Sequence, residues 1–255
     1  MVYNLDSFLN DIIVLLIAYV YVFAMILIPV ALKKKDKISS FTARKMVHLF
    51  AGLVVFVVPF FKAPLISLVI TIPICIMTYF SSKESKVKAL KDLYDAIGED
   101  AEENVGRRKR SFLQGPFHYA ISITVLITLF AIIAPDKMYF PIAGILIMII
   151  SDTLASMVGK KIGKIKIKFP WTSERSLEGS LTFLITGFLL CLFCFSLYGI
   201  INPITQLPLT VEQVLLYSLI TSAIGMIIEL LSPSTWDDLS VPIATTLIIF
   251  LLSLI

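Results

Sequence analysis

Eight runs of apolar residues, most of them near the length of a bilayer crossing, decide what this chain can fold into. They lie at about Ile12–Leu32, Met46–Phe61, Pro64–Phe80, Phe117–Ala134, Tyr139–Val158, Leu177–Ile200, Val211–Leu231 and Leu239–Ile255. In hydrocarbon the backbone N–H and C=O groups find no water, so such a run satisfies them internally as a helix. Composition agrees: the 255 residues are 58% hydrophobic and 16% charged, where soluble domains are about half apolar and a quarter charged. The expected fold is all-α, a polytopic membrane helical bundle of about eight transmembrane helices. The second run is short, and its separation from the third rests on Lys62 and Pro64. A re-entrant hairpin merging the two is the competing count.

One integral membrane domain over residues 1–255 is expected, with no internal repeat and no linker to a soluble domain. Residues 1–11 contain no Lys or Arg, and Lys33–Lys37 follow the first run, which reads as a retained span rather than a cleaved signal. Cys75, Cys191 and Cys194 all fall inside apolar runs. Without a second Cys or His pair, the Cys191/Cys194 spacing reads as helix packing rather than a metal site. With eight spans, twenty of the twenty-two Lys and Arg fall in loops on one side, at 33–45, 81–116 and 159–176. The positive-inside rule makes that side cytoplasmic and puts both termini on the other. Such a basic face suits anionic lipid or a polyanionic substrate. No nucleic acid partner is expected, because no aromatic-interleaved basic domain stands clear of the membrane. A homo-oligomer is compatible with the sequence, which does not specify one.

The longest soluble piece is the charged loop at about 81–116. Within it Val87, Leu90, Tyr94 and Ile97 recur at helical spacing among Lys83, Lys86, Lys88 and Lys91, as in a helix lying on a membrane surface. An acidic turn at Glu99–Glu103 and a basic run at Arg107–Arg110 follow. A solvated connecting loop and a substrate-gathering loop are both compatible with this pattern.

The stretch from Ser151 to Ser180 carries the candidate chemistry. An acidic residue at the centre of a membrane helix costs about 2.5–3.5 kcal/mol on insertion scales, so Asp152 needs a partner or a task. On a helix Asp152, Ser156, Gly159 and Gly163 share a face, with Lys160, Lys161 and Lys164 beside it. A glycine-bearing basic turn can hold phosphates through backbone N–H groups and ammonium charges, although no Walker sequence is present. Small-residue helix contact is the alternative for the glycines. Glu178 downstream, with Glu229, Asp237 and Asp238, brings carboxylates to the same membrane face. Carboxylates recruit Mg²⁺, a hard cation, and Lys and Arg neutralise what it does not. Asp152, Glu178 and Glu229 are the expected metal ligands, and Asp152 and Glu178 are expected to converge.

Asp152-Thr-Leu-Ala155-Ser156, Gly159-Lys160, Gly163-Lys164 and Arg175-Ser176-Leu-Glu178-Gly179-Ser180 together resemble the signature of CTP-dependent polyprenol kinases. That group includes dolichol kinase, phytol kinase and the fungal-type diacylglycerol kinase. Arg44-Lys45-Met-Val-His48 resembles the family's entry to an early span, and Gln114-Gly115-Pro116-Phe117-His118-Tyr119 its glycine-proline-aromatic element. Glu229-Leu-Leu-Ser-Pro, then Asp237-Asp238-Leu-Ser-Val-Pro242, resemble its acidic element. The chain departs from the family pattern at Arg175, usually Lys, and at Asp238, usually Asn.

The resemblance implies transfer of the γ-phosphoryl group of CTP, with Mg²⁺ or another divalent cation, to a membrane isoprenoid alcohol of dolichol, phytol or geranylgeraniol type. It implies catalytic roles for Asp152, Glu178, Asp237 and Asp238. Ser156, Gly159, Lys160, Lys161, Gly163, Lys164, Arg175, Ser176 and Gly179 would bind the nucleotide phosphates. Arg44, Lys45, His48, Gly115 and Pro116 would position substrate or phosphate, and His118 is read as structural. Membrane CDP-lipid synthases share the middle segment, but their basic C-terminal signature requires Lys and Arg, and none follows Arg175 here. A diacylglycerol acceptor and, in another class, an ion-coupled transporter complete the alternatives.

Overall fold

The computed structural model describes residues 3–98, 112–201, 205–233 and 236–254. The acidic turn at Glu99–Glu103 and the basic run at Arg107–Arg110 lie outside the described residues.

Helices dominate. Six are long and apolar enough to cross a membrane: α1 (Leu5–Lys34), α2 (Ser40–Phe60), α5 (Gln114–Ile133), α6 (Tyr139–Ile162), α7 (Leu177–Ile201) and α8 (Val211–Leu231). Two shorter apolar helices, α3 (Pro64–Phe80) and α9 (Asp237–Leu252), complete the polytopic bundle, and α4 (Lys88–Ile97) is the amphipathic helix of the charged loop. A two-stranded hairpin pairs β1 (Lys166–Ile167) with β2 (Arg175–Ser176) in antiparallel register.

Helix starts follow local chemistry. The side chains of Asn4, Ser39, Ser176 and Thr210 accept from backbone N–H groups in the first turns of α1, α2, α7 and α8. The Ser39 cap starts α2 six residues before the apolar run does, and so brings Arg44 and Lys45 onto the helix. Pro64 opens α3 and separates it from α2. At the same turn Asp11, fully buried on α1, accepts from the backbone N–H groups of Lys62 at 2.7 Å and Ala63 at 3.0 Å.

Helix α6 is the centre of the larger core. In its most apolar stretch 61% of residues are buried, against 22–39% in the other long helices, because α5, α7, α8 and α9 pack around it. A second core joins α1, α2, α3 and α4. The apolar face of α4 therefore closes onto protein: Leu93, Tyr94, Ala96 and Ile97 are buried, while Val87 is exposed. Lys34 of α1 binds Asp92 of α4 at 2.6 Å. This differs from a helix laid on lipid through Val87, Leu90, Tyr94 and Ile97, because the ends of α1 and α2 offer a nearer apolar surface. Cys191 and Cys194 are buried in helix packing.

Two helices carry a π turn at corresponding places, Val47–Ala51 in α2 and Ile147–Ser151 in α6, and these turns touch. Such turns shift the hydrogen-bond ladder by a residue and re-aim the side chains that follow. Here His48 lies within the α2 turn and Asp152 directly follows the α6 turn.

Candidate functional site

A cavity of about 760 Å³ lies where the two cores meet. One end is charged, lined by Arg44, Lys45, Asp152, Lys160, Arg175, Glu229, Asp237 and Asp238. The other is apolar and runs between α1, α2, α3, α4 and α5, past Ile26, Val54, Ile70, Ile74 and Ile123.

The charged end is assembled from five elements, α2, α6, β2, α8 and α9. Asp152 pairs with Lys45 across α6 and α2, Nζ to Oδ2 3.4 Å. Arg175, delivered by β2, donates one guanidinium nitrogen to Glu229 and the other to Asp237 Oδ2 at 2.8 Å. Helix ends explain the pairing. Asp237 and Asp238 open α9, where the helix dipole favours negative charge, whereas Glu229 lies in the last turn of α8, where it does not. Burial opposes the charge on Arg175, but Glu229, Asp237 and Asp152 outweigh it and raise its pKa. Asp238 is within electrostatic reach of Asp237, Asp152, Lys45 and Arg44. Four carboxylates thus face four cations, Arg44, Lys45, Lys160 and Arg175, in a sheltered place.

Most of the expected site residues converge here. Asp152, Asp237, Asp238, Glu229, Ser156, Gly159, Lys160, Arg175, Ser176, Gly179, Arg44, Lys45, His48, Gly115 and Pro116 all line the cavity. Glu178, Lys161, Gly163 and Lys164 are not among its lining residues. Asp152 and Glu178 therefore do not meet as expected. The Glu178 carboxylate turns back to accept from the backbone N–H groups of Lys164 at 3.0 Å and Ile165 at 3.3 Å, fastening the chain after α6. Lys160 is drawn over the Phe41 ring at 4.1 Å.

The glycines serve helix contact. A Cβ on Gly179 would come within 3.0 Å of the Ala155 carbonyl oxygen, and one on Gly163 within 2.6 Å of Ser176 Oγ. Small residues thus let α6 and α7 approach closely, as well as leaving backbone at the cavity wall. His118 packs on Trp236, ring centres 4.8 Å apart, and is not a lining residue.

Sequence reading missed Lys166, Lys168 and Tyr119, all of which line the cavity. The alternation Lys164-Ile165-Lys166-Ile167-Lys168 was the available signal, since period two marks a strand. Nothing marked Tyr119 apart from its place in the Gln114–Tyr119 element. Among the described residues, no three His, Cys, Asp or Glu side chains are arranged to hold a metal ion by themselves.

The chain is 31% identical over 184 residues to dolichol kinase of Saccharomyces cerevisiae, covering 71% of this chain and 33% of that one. It is 26% identical over 235 residues to a probable chloroplastic phytol kinase of Triticum aestivum, covering 87% and 71%. An uncharacterised protein of Methanocaldococcus jannaschii is 32% identical over 159 residues, covering 62% and 74%. Similarity to proteins named dolichol kinase and phytol kinase over most of the chain supports a relationship to the polyprenol kinase family. It spans a third of the length of the yeast dolichol kinase and nearly three quarters of the wheat and archaeal relatives. No family model matches the chain, and no solved structure matches it. Other relatives with similarity over most of this chain, such as phytol kinase 1 of Arabidopsis thaliana at 24% over 238 residues, extend the likeness across both cores.

Proposed function

We propose that this protein is a lipid kinase that transfers the γ-phosphoryl group of CTP to an isoprenoid alcohol at the basic, cytoplasmic end of the bundle. The observation that carries this reading is the two-part cavity, charged at one end and apolar along the rest. An alcohol with a long apolar chain needs both, and a soluble substrate needs only the first.

In this reading the alcohol lies in the apolar arm, its hydroxyl reaching the Lys45–Asp152 pair. Lys160, Lys166 and Lys168 hold the triphosphate, which carries its own charge into the cluster. A bond forms between the hydroxyl oxygen and the γ-phosphorus, and the bond to the β–γ bridging oxygen breaks. CDP leaves, and a carboxylate of the cluster takes the hydroxyl proton. Positioning and charge neutralisation supply most of the rate in such transfers. The choice of CTP follows the family resemblance.

The carboxylates of the cluster fit a divalent cation. Mg²⁺ keeps several waters and is usually held by one or two carboxylates together with substrate phosphates, so a preformed cage of three side chains is not required. Asp152 and Asp238 would hold it, while Glu229 and Asp237 are engaged by Arg175. The ion would neutralise developing phosphate charge.

The test is purified protein in detergent with Mg²⁺, each nucleoside triphosphate in turn, and a panel of lipid alcohols that includes dolichol, phytol, geranylgeraniol and diacylglycerol. Formation of an isoprenoid monophosphate with release of CDP supports the proposal. Transfer to no alcohol with any nucleotide contradicts it.

A further inference from the structure

A small apolar groove lies between α1 and α3, back to back with the cavity. Ile26, Ile70, Ile74 and Met77 line both spaces. Tyr19, Val22, Phe23 and Pro73 line the groove alone. One layer of side chains therefore separates the apolar arm of the cavity from the outside of the bundle. Phe23 is 48% exposed and Pro73 is exposed, so the groove faces the acyl chains of the bilayer.

The seam is fastened at one end only. Pro73 has no N–H, so the Val69 carbonyl one turn back has no helical donor. The Tyr19 hydroxyl supplies one at 2.6 Å and ties α1 to α3 there. Beyond Tyr19 the polar side chains of α1 reach other helices: Tyr21 donates to the Phe50 carbonyl oxygen on α2, and Lys34 binds Asp92 on α4. Along their length α1 packs mainly on α2 and α3 mainly on α5, and the two touch each other sparsely. What closes the seam past Tyr19 is apolar contact, and lipid tails are as apolar as the side chains they would replace. Ile26 lies about 12 Å along the helix from Lys34, and Ile74 about 9 Å from Phe80. The seam is thus in the half of the membrane nearest the charged end of the cavity.

We propose that this seam is the portal through which the tail of the lipid alcohol passes between the cavity and the bilayer. This rests on the lipid-alcohol reading above and adds the path of the tail. The hydroxyl stays at the charged end, the first isoprene units fill the apolar arm, and the remainder leaves between Ile26 and Ile74. A longer acceptor places its excess in the surrounding lipid, so the site takes chains that the cavity alone would not hold.

Photolabelling without nucleotide tests this, using geranylgeraniol with a diazirine at the end far from its hydroxyl. Label is expected on Tyr19, Val22, Phe23 or Pro73, and an excess of unmodified geranylgeraniol should displace it. The same diazirine placed beside the hydroxyl is expected to spare those four residues. Displaceable label confined to the cavity or to α5, α8 and α9 overturns the proposal, and so does the absence of displaceable label. Val22→Phe adds bulk to the groove but not to the cavity. It should weaken geranylgeraniol binding about tenfold and change binding of 3-methylbut-2-en-1-ol, too short to reach the seam, by less than about twofold. A folded variant that binds geranylgeraniol as the unaltered protein does also overturns the proposal. If the variant does not fold, photolabelling of the unaltered protein decides alone. Displaceable label at the seam without phosphate transfer from any nucleotide would remove the kinase reading and leave the portal standing. Phosphorylation of geranylgeraniol by a protein labelled only elsewhere would do the reverse.

Discussion

Arg175 and Glu229, 54 residues apart in the chain, form a buried ion pair that joins the β hairpin to the end of α8. Asp237 takes the other arm of the guanidinium, so one side chain ties three stretches of chain at the charged end of the cavity. Arg175→Ala leaves two sheltered carboxylates without their shared cation. Removing one partner of a buried pair costs about 3–5 kcal/mol, which should appear as a clear drop in melting temperature in detergent. Arg175→Lys keeps the charge but cannot engage both carboxylates in the same planar geometry, so an intermediate melting temperature is expected. Equal melting temperatures for all three proteins would mean the bridge does not hold the site together.

Asp152 and Glu178 should separate in activity. Asp152→Asn removes a carboxylate from the cavity and should lower turnover by about a hundredfold or more, with membrane insertion intact. Glu178→Gln weakens only the backbone contacts to Lys164 and Ile165 and should lower turnover by about tenfold or less. Turnover assays on both variants at matched expression check the order, and the reverse order would return Glu178 to the chemistry.

Gly163→Ala should destabilise the join between α6 and α7. Its new Cβ would press on Ser176 Oγ, the cap of α7, and on the Gly159 carbonyl oxygen. Overpacking of this kind costs about 1–3 kcal/mol. Thermal unfolding in detergent measures it, and an unchanged midpoint would show that the helices can separate freely.

Asp11→Ala should loosen the turn between α2 and α3 at the opposite end of the molecule. Two backbone N–H groups lose a charged acceptor, at a cost of about 1–3 kcal/mol. Hydrogen exchange at Lys62 and Ala63 should accelerate, while exchange in α8 should not change.

The helices were legible because a bilayer-length apolar run has few other outcomes, and the eight runs correspond to eight apolar helices among the described residues. Asp152, Glu229, Asp237 and Asp238 were legible as charges at a depth where charge needs a partner. Their partners were not. Lys45 meets Asp152 across 107 positions, and no local pattern encodes so distant a contact. Glu178 misled because it lies at the same depth as Asp152, and spacing says nothing about which way a carboxylate turns at a helix start. Nothing near Asp11 in sequence marked it, because its burial depends on a turn fifty residues later. The roof of the cavity was hidden for a related reason: the pattern of α4 shows an apolar face but not whether lipid or protein covers it.

Labelled CTP tests the central claim most directly: that the charged end of the cavity joins the γ-phosphorus to a lipid hydroxyl. With geranylgeraniol and Mg²⁺, label from the γ position is expected in the lipid product and label from the α position in released CDP. Label from the α position appearing in the lipid would contradict the claim and assign the site to nucleotidyl transfer.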